Sequence, residues 1–273
     1  MRHIVVGVDG SRQSVQALAW SAALARPMNA EIIAVNAYRP VQSEMRPGYF
    51  ERLKQEQAHR LEGWCSDVLA GVRHQLEVVD GDPRAGLLAA AGRHHADLLV
   101  VATTGSSGKS HGFLHLGSVA EYLAHHAGVA LALVPDSASA HVERVVVAVD
   151  GSEHSQAAER WLATIAAVIP MSIVAVGVAE PGFPDMVTEQ DVRGDWTTSL
   201  SEKEIAFEPI IARETPAADG ILRAATDHDA DLVVLGMRGA GGFSELRLGG
   251  VAFKVIHRAG MPVVLVPPDD ADR

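Results

Sequence analysis

The stretch VVGVDGS at Val5–Ser11 returns later in the same chain as VVAVDGS at Val146–Ser152. In both places a short apolar run ends at an aspartate, and glycine and serine follow it. A short apolar run indicates a buried β-strand, and serine in this position is typical of a residue that caps an α-helix. The sequence therefore predicts one strand–turn–helix unit that occurs twice.

Two further pairs of segments match in the same order along the chain. ADLLVV at 96–101 resembles ADLVVL at 230–235, and VALALVP at 129–135 resembles MPVVLVP at 261–267. Three matches in one order indicate an internal duplication. A chain of 273 residues also suits two domains of ordinary size. We predict domains at 1–136 and 142–268, connected by a short polar linker over 136–141.

The arrangement within each copy predicts the fold class. Short apolar runs alternate with segments whose apolar residues recur at helical spacing, which is typical of an α/β fold with a parallel sheet covered on both faces. We expect two doubly wound domains, each with a five-stranded parallel sheet in the order 3-2-1-4-5 and about four helices. The segment 179–204 is shorter than its counterpart 38–73 and contains Pro181 and Pro184. We therefore expect a shortened second helix there, near 196–203, with Trp196 covering the core.

Composition excludes several classes of function. The formal net charge is -11, so nucleic acid and anionic membranes should repel the protein, and we expect neither as a partner. No apolar run approaches the ~20 residues of a membrane helix, and the first residues do not form a signal peptide, so we expect a cytoplasmic protein. Cys65 is the single cysteine, and the 13 histidines show no converging set, so we expect no metal site.

The aspartates that end the first strands are the first candidate ligand contacts. Ligands of doubly wound sheets bind at the carboxyl ends of the strands, where Asp9 and Asp150 are predicted to lie. We expect Ser11 and Ser152 to cap the helices that follow. The aspartates precede these caps and can accept hydrogen bonds from ribose hydroxyls or from an adenine amine.

A glycine-rich loop after the fourth strand of the second copy is the second candidate. It reads Gly236-Met237-Arg238-Gly239, and after nine further residues Gly249-Gly250-Val251 opens a predicted helix. Glycines allow close approach of the backbone to a phosphate, and a helix N-terminus offers N–H groups and the positive end of the dipole. The loop therefore predicts a polyphosphate site in spite of the overall negative charge.

Both copies resemble the universal stress protein family, whose flavodoxin-like domains include ATP-binding members, and the resemblance covers nearly the whole chain. The ATP-binding members carry Gly-x2-Gly-x9-Gly-Ser/Thr, and the second copy has Gly250 in place of the hydroxyl residue. The resemblance implies that the aspartates contact the nucleotide and that the backbone of Ala37 and Val178 reads adenine. The contacts that we predict in the second copy are Asp150, Gly151, Val178, Gly236, Arg238, Gly239, Gly249, Gly250 and Val251.

The first copy departs from this motif in a different way. It keeps the hydroxyl in Gly117-Ser118-Val119, but eleven residues separate Gly105 from Gly117 and eight separate Gly108 from Gly117, where the motif has nine. Nearby hydroxyl groups and Lys109 could supply donors and charge, or the segment is only a polar surface loop. The contacts that we predict in the first copy are Gly7, Asp9, Gly10, Ala37, Thr103, Gly105, Gly108, Gly117, Ser118 and Val119.

These features together predict an ATP-binding regulatory protein of the stress response. ATP, with or without Mg²⁺, should lie at the carboxyl edge of one or both sheets. The alternative is a nucleotide-free, dimerising interaction module, because both loops depart from the motif. The final strands, 129–134 and 262–266, are natural edges for pairing the two copies, and a homodimer is also open. We identify no catalytic residue and expect no enzyme, although weak ATP hydrolysis stays open.

Overall fold

The computed structural model describes residues 1–39, 49–105, 116–182, 186–213, 215–239 and 248–268. The first copy contains five strands and four helices, in the order β1 (His3–Gly7), α1 (Arg12–Met28), β2 (Glu31–Tyr38), α2 (Tyr49–Cys65), β3 (His74–Asp80), α3 (Pro83–Arg93), β4 (Leu98–Ala102), α4 (Ser118–His126) and β5 (Ala130–Val134). None of the helices in these ranges has the length and apolar character that a membrane crossing requires.

The second copy repeats this order, with short helices in place of the second one. Its elements are β6 (Arg144–Ala148), α5 (Glu153–Ala166), β7 (Ser172–Ala179), α6 (Glu189–Arg193), a 3-10 turn (Asp195–Thr197), α7 (Thr198–Glu202), β8 (Glu208–Arg213), α8 (Ala217–Asp227), β9 (Leu232–Gly236), α9 (Gly250–Arg258) and β10 (Val263–Val266).

All ten strands form one sheet, in the order β3-β2-β1-β4-β5-β10-β9-β6-β7-β8. Within each copy the strands are parallel and follow the predicted order 3-2-1-4-5, so the α/β fold class is confirmed. Helices cover both faces: α1, α2 and α5 to α7 pack on one core, and α3, α4, α8 and α9 pack on the other.

The two copies meet at a seam that we define as the pairing of β5 with β10. The pairing is antiparallel, and Val264 lies opposite Ala132 at its centre. The predicted edge strands therefore pair within the chain, as expected. The two predicted five-stranded sheets are thus halves of one ten-stranded sheet, because two apolar edges with unpaired N–H and C=O groups are satisfied by joining.

The linker crosses this seam on the side of α1. Gln16 donates a side-chain hydrogen bond to the carbonyl of Ala138 at 2.6 Å, and Ser137 donates to the carbonyl of Gly260 at 3.1 Å. Ala138 is buried, and Trp20 on α1 is fully buried. A short, small-residue linker can therefore pack as part of the core. The boundaries at residues 136 and 142 stay a prediction.

The shortened second helix is two helices rather than the one predicted near 196–203. Thr188 and Asp191 form a capping box, in which each side chain bonds the other residue's backbone N–H, and this box starts α6. The helix ends at Gly194, and Trp196 in the following 3-10 turn packs partly buried against the core, as predicted. The Thr188-x-x-Asp191 spacing of this box is visible in the sequence and marks the start of α6.

A buried glutamate anchors these short helices. Glu159 on α5 is 2% exposed, and its carboxylate accepts a hydrogen bond from the backbone N–H of Leu200 at 2.5 Å. Burial raises the pKa of Glu159, and the hydrogen bonds from Ser199 and Leu200 oppose that rise. The carboxylate thus binds the N-terminal turn of α7 at the expense of its own hydration.

We expect Glu159→Ala to lower the free energy of unfolding by about 1–3 kcal/mol, because the N–H of Leu200 then loses its acceptor. Glu159→Gln is the matched control, since it keeps an acceptor oxygen, and its loss should be much smaller. The raised pKa favours the protonated acid in the folded state, so this group's contribution is present at low pH and is lost as pH rises. Denaturant unfolding across pH should show that slope in the wild type and not in Glu159→Gln; equal losses for both variants would contradict the anchoring role.

Candidate functional site

Two crevices lie at opposite edges of the sheet. Because β5 and β10 are antiparallel, the carboxyl ends of the strands point to one edge in the first copy and to the other edge in the second. We call them the first crevice and the second crevice, after the copy that forms each. Ligands of doubly wound sheets bind at such carboxyl ends.

The Asp-Gly-Ser turn has the same geometry in both copies. Asp9 Oδ1 accepts from the backbone N–H of Ser11 at 3.0 Å, and Asp150 Oδ1 accepts from that of Ser152 at 3.0 Å. Both serine side chains accept a backbone N–H three residues further on, so the predicted helix caps are confirmed. The turn fixes one oxygen of each aspartate, while the other oxygen faces the glycine loop.

The second oxygen of each aspartate lies against a glycine of the loop, Gly105 in the first copy and Gly239 in the second. A Cβ at Gly105 would lie 2.9 Å from Asp9 Oδ2, and a Cβ at Gly239 would lie 2.5 Å from Asp150 Oδ2. Real Cβ atoms essentially never approach an oxygen so closely. A side chain at either position would therefore have to displace the aspartate oxygen or the loop backbone, because the two lie directly against each other.

The second half of each loop opens a helix. The N–H of Gly117 donates to the carbonyl of Thr103 at 2.7 Å, and the N–H of Gly249 donates to that of Met237 at 2.7 Å. Within the described residues, no side chain caps α4 or α9, which begin at the next position. Uncapped N–H groups at a helix N-terminus are suited to bind an anion.

The second crevice has a volume of about 630 Å³. Its lining combines apolar side chains from β7 and α8 with the glycine loop and the cations Arg238 and Lys254. Its lining includes Asp150, Val176, Val178, Glu180, Met186, Val187, Ala217, Ile221, Gly236, Arg238, Gly239, Gly249, Gly250, Val251 and Lys254. The arrangement suits a ligand with a flat apolar part and an anionic part.

The first crevice is smaller, at about 260 Å³. No lysine or arginine occurs among the described residues that line it, and Thr104 takes the place that Arg238 has in the second copy. Its lining includes Gly7, Asp9, Ser14, Ala37, Pro83, Leu87, Thr104, Gly105, Gly117, Ser118 and Val119. The two crevices share a backbone plan but differ in charge and size.

A histidine lies behind the loop of the second crevice. Arg238 donates from Nε to Nε2 of His154 at 2.8 Å, and His154 is 8% exposed. Burial and the neighbouring Arg238 lower the pKa of His154, while Glu153 and Asp150 act in the opposite direction. Gly236 allows this approach, since a Cβ there would lie 2.6 Å from the His154 backbone.

Most of the predicted contacts lie together in these crevices, but three of them lie elsewhere. Gly10 and Gly151 have φ near +78° and +77°, and a Cβ at either would collide with Trp64 or Trp196. Each glycine therefore lies beneath a tryptophan instead of facing the crevice. Thr103 is not among the lining residues and contributes its carbonyl to the loop. Gly108 lies outside the described residues.

Two functional candidates, Lys254 and His154, were missed from sequence. Lys254 follows Gly250 by four residues, so helical spacing places it on the same side of α9, and this signal was available. His154 could be found only by aligning the two copies position by position, whereas Thr104 is one of the hydroxyl groups already expected to supply donors in the first copy. Among the described residues, no group of histidine, cysteine and acidic side chains is arranged to hold a metal ion.

Comparison with known proteins gives one family. The model of the universal stress protein family matches residues 1–135 and again residues 141–267. A universal stress protein of Mycolicibacterium smegmatis is 28% identical over 97% of this chain and 97% of its own length. The crystal structure of a universal stress protein from Archaeoglobus fulgidus superposes with a TM-score of 0.74 over 97% of this chain and 98% of that one, at 18% identity.

A shorter match has higher identity. A universal stress protein of Mycobacterium tuberculosis is 32% identical to this chain, and the match covers 46% of this chain and 48% of the relative. This chain thus spans about half the length of that relative in the match. The comparisons with the longer relatives, in contrast, extend through both copies.

Proposed function

Since this chain belongs to the universal stress protein family, we propose that it is an ATP-binding regulatory protein of the stress response. The observation that carries the proposal is the second crevice, which combines apolar side chains, a glycine loop, an uncapped helix N-terminus and two cations. Its volume of about 630 Å³ falls in the usual range of small-ligand sites, roughly 300–1,000 Å³. We propose no catalytic role and expect the cytoplasm as its location.

The proposed binding mode follows the polarity of the crevice. Adenine would lie against the apolar side chains of Val176 and Ile221, with the backbone of Val178 reading its edge. The phosphates would lie at the N-terminus of α9, between Arg238 and Lys254, because an acidic protein needs local positive charge to hold them.

Magnesium fits this mode as a companion of the phosphates. Mg²⁺ is usually bound by one or two carboxylates together with substrate phosphates. Asp150 is the carboxylate that lines the crevice beside Gly239, so it could face such an ion directly or through water. The ion would neutralise part of the negative phosphate charge that Arg238 and Lys254 do not balance.

The first crevice supports a weaker nucleotide site. Its size and lining also favour the alternative function, a nucleotide-free scaffold, for the first copy. Its volume of about 260 Å³ is below the usual range for a small-ligand site, and its described lining has neither lysine nor arginine. We propose that the first copy binds nucleotide weakly or serves as a nucleotide-free scaffold. A homodimer would need a surface other than the seam, because β5 and β10 already pair with each other.

Two measurements test this proposal. One sample of the purified protein is denatured, and any released nucleotide is detected by chromatography. A second, native sample is titrated with ATP in a calorimeter. We expect one tight site per chain, with any second event much weaker. A ligand that prefers one conformation would then bias the surface available to partners, as regulation requires. No retained nucleotide and no heat at millimolar ATP would exclude the proposed function and leave the scaffold alternative.

We expect Gly250→Ser to strengthen binding at the second crevice about tenfold, because a hydroxyl bonded to a charged phosphate contributes ~1.5 kcal/mol or more. A Cβ at Gly250 would meet nothing within 4 Å, so the side chain fits without displacing a neighbour. Gly250→Ala is the matched control, since it changes the helix in the same way without the hydroxyl. Equal affinities of the two variants would show that no phosphate lies beside this position.

A further inference from the structure

We propose that His154 is a positioning residue for the second crevice: as a neutral imidazole it holds the Arg238 guanidinium in the crevice, and its protonation at acid pH releases that grip and weakens the binding of anionic ligands. This inference rests on the proposed function, because it assigns a task to a residue behind the phosphate end of the same crevice. His154 itself is not among the residues that line it.

The hydrogen bond determines the protonation state of the imidazole. A guanidinium can only donate, so Nε2 of His154 must be the acceptor in the 2.8 Å contact with Nε of Arg238. The proton of the neutral ring is then on Nδ1. That atom is buried and has no hydrogen-bond partner among the described residues, so this tautomer is favoured by Arg238 rather than by a bond at Nδ1.

Protonation would reverse the contact. An imidazolium has an N–H at Nε2 as well, so it would present a donor and a positive charge to the Arg238 guanidinium. Among the described residues, the ionisable groups that act on His154 are Arg238 from the loop after β9, Glu153 from α5 itself and Asp150 from the end of β6. The two carboxylates would ease protonation, but Nε2 would then carry a hydrogen and this contact with Arg238 would be lost.

The direction of the pH effect follows from the burial of His154. Burial lowers the pKa of His154 below its ordinary 6.5, and Arg238 lowers it further. The imidazole is therefore neutral at neutral pH, and the contact is intact there. It is lost only as the pH falls below 6.5, so an anionic ligand should bind best in neutral solution.

The first copy shows what replaces the pair. Gln13 occupies the position of His154 on α1, and Thr104 occupies that of Arg238. Glutamine does not titrate, and the first crevice contains no arginine at this position. The His154–Arg238 pair is therefore a property of the second crevice, and His154→Gln introduces the residue that the other copy already carries.

The test compares ATP affinity, by calorimetry on the full chain, at about pH 7.5 and about pH 5, two values that bracket the usual range of histidine titration. The terminal phosphate of ATP itself titrates near pH 6, so every variant includes that common effect. We expect wild type to lose about tenfold more affinity than His154→Gln between these pH values, which corresponds to about 1.4 kcal/mol. His154→Leu, without an acceptor, should bind weakly at both.

His228→Gln is the matched control, because His228 follows α8 and lies outside the second crevice. It should keep the pH dependence of the wild type. Equal pH dependence in wild type and His154→Gln would overturn the positioning role, as would normal binding by His154→Leu.

A second measurement does not need a ligand. The Nε–H resonance of Arg238 in a ¹H–¹⁵N spectrum should move as the pH falls below 6.5 in wild type and stay fixed in His154→Gln. If ATP does not bind but this resonance titrates, the proposed function fails and the His154–Arg238 coupling stands. If ATP binds and the resonance does not titrate, the coupling fails and the proposed function stands.

Discussion

Replacing Gly239 with valine should abolish nucleotide binding at the second crevice, a loss of more than about a hundredfold in affinity, or roughly 3 kcal/mol. The Cβ of valine would start 2.5 Å from Asp150 Oδ2. The aspartate cannot simply retreat, because its other oxygen accepts from the N–H of Ser152 at 3.0 Å. The loop must therefore move, and with it the backbone and Arg238 that would bind phosphate.

Gly105→Val in the first copy is the matched control. Its Cβ would start 2.9 Å from Asp9 Oδ2, so it disturbs the same contact in the other crevice. Calorimetry should show the tight site intact in Gly105→Val and absent in Gly239→Val, with thermal unfolding used to check that both remain folded. If Gly105→Val removed the tight site instead, the assignment of strong binding to the second crevice would be wrong.

Gly151→Ala should lower the free energy of unfolding by about 2–4 kcal/mol. A side chain at φ +77° costs ~1–2 kcal/mol, and forcing an extra carbon into a packed site adds ~1–3 kcal/mol. The obstacle is Trp196, whose Nε1 would lie 2.5 Å from the new Cβ. Urea unfolding should resolve the loss, which is a large fraction of an ordinary domain's stability.

Gly71→Ala separates the two causes. Gly71 has almost the same backbone angle, φ +73°, but a Cβ there would meet nothing within 4 Å. It should cost only the backbone strain, ~1–2 kcal/mol. The difference between the two variants then measures the contact with Trp196, and similar losses at both positions would show that the tryptophan makes way without cost.

The duplicated scaffold could be predicted from the sequence because its determinants are local. The strand order follows from apolar runs that alternate with helical segments, and the turn at Asp9 and Asp150 follows from three consecutive residues. Gly239 and Gly249 could be placed because the loop begins at a predicted strand and ends at a predicted helix. Such signals depend only on neighbours in the chain.

The features that could not be predicted depend on contacts between distant residues. Arg238 and His154 are 84 residues apart, and nothing near either of them in sequence indicates the other. Gly10 and Gly151 look like ligand contacts until Trp64 and Trp196 are placed over them. Both glycines also have a positive φ, which favours glycine at these positions independently of any ligand.

The seam between β5 and β10 has a consequence for how the two crevices can change over generations. In a dimer of identical chains, every substitution appears in both subunits, so a change that improves one site alters the other as well. Here both halves are encoded separately within one chain, so each crevice acquires mutations alone. The second crevice has two cations in its lining, and the described lining of the first has neither lysine nor arginine. Two identical subunits of a symmetric dimer could not differ in this way.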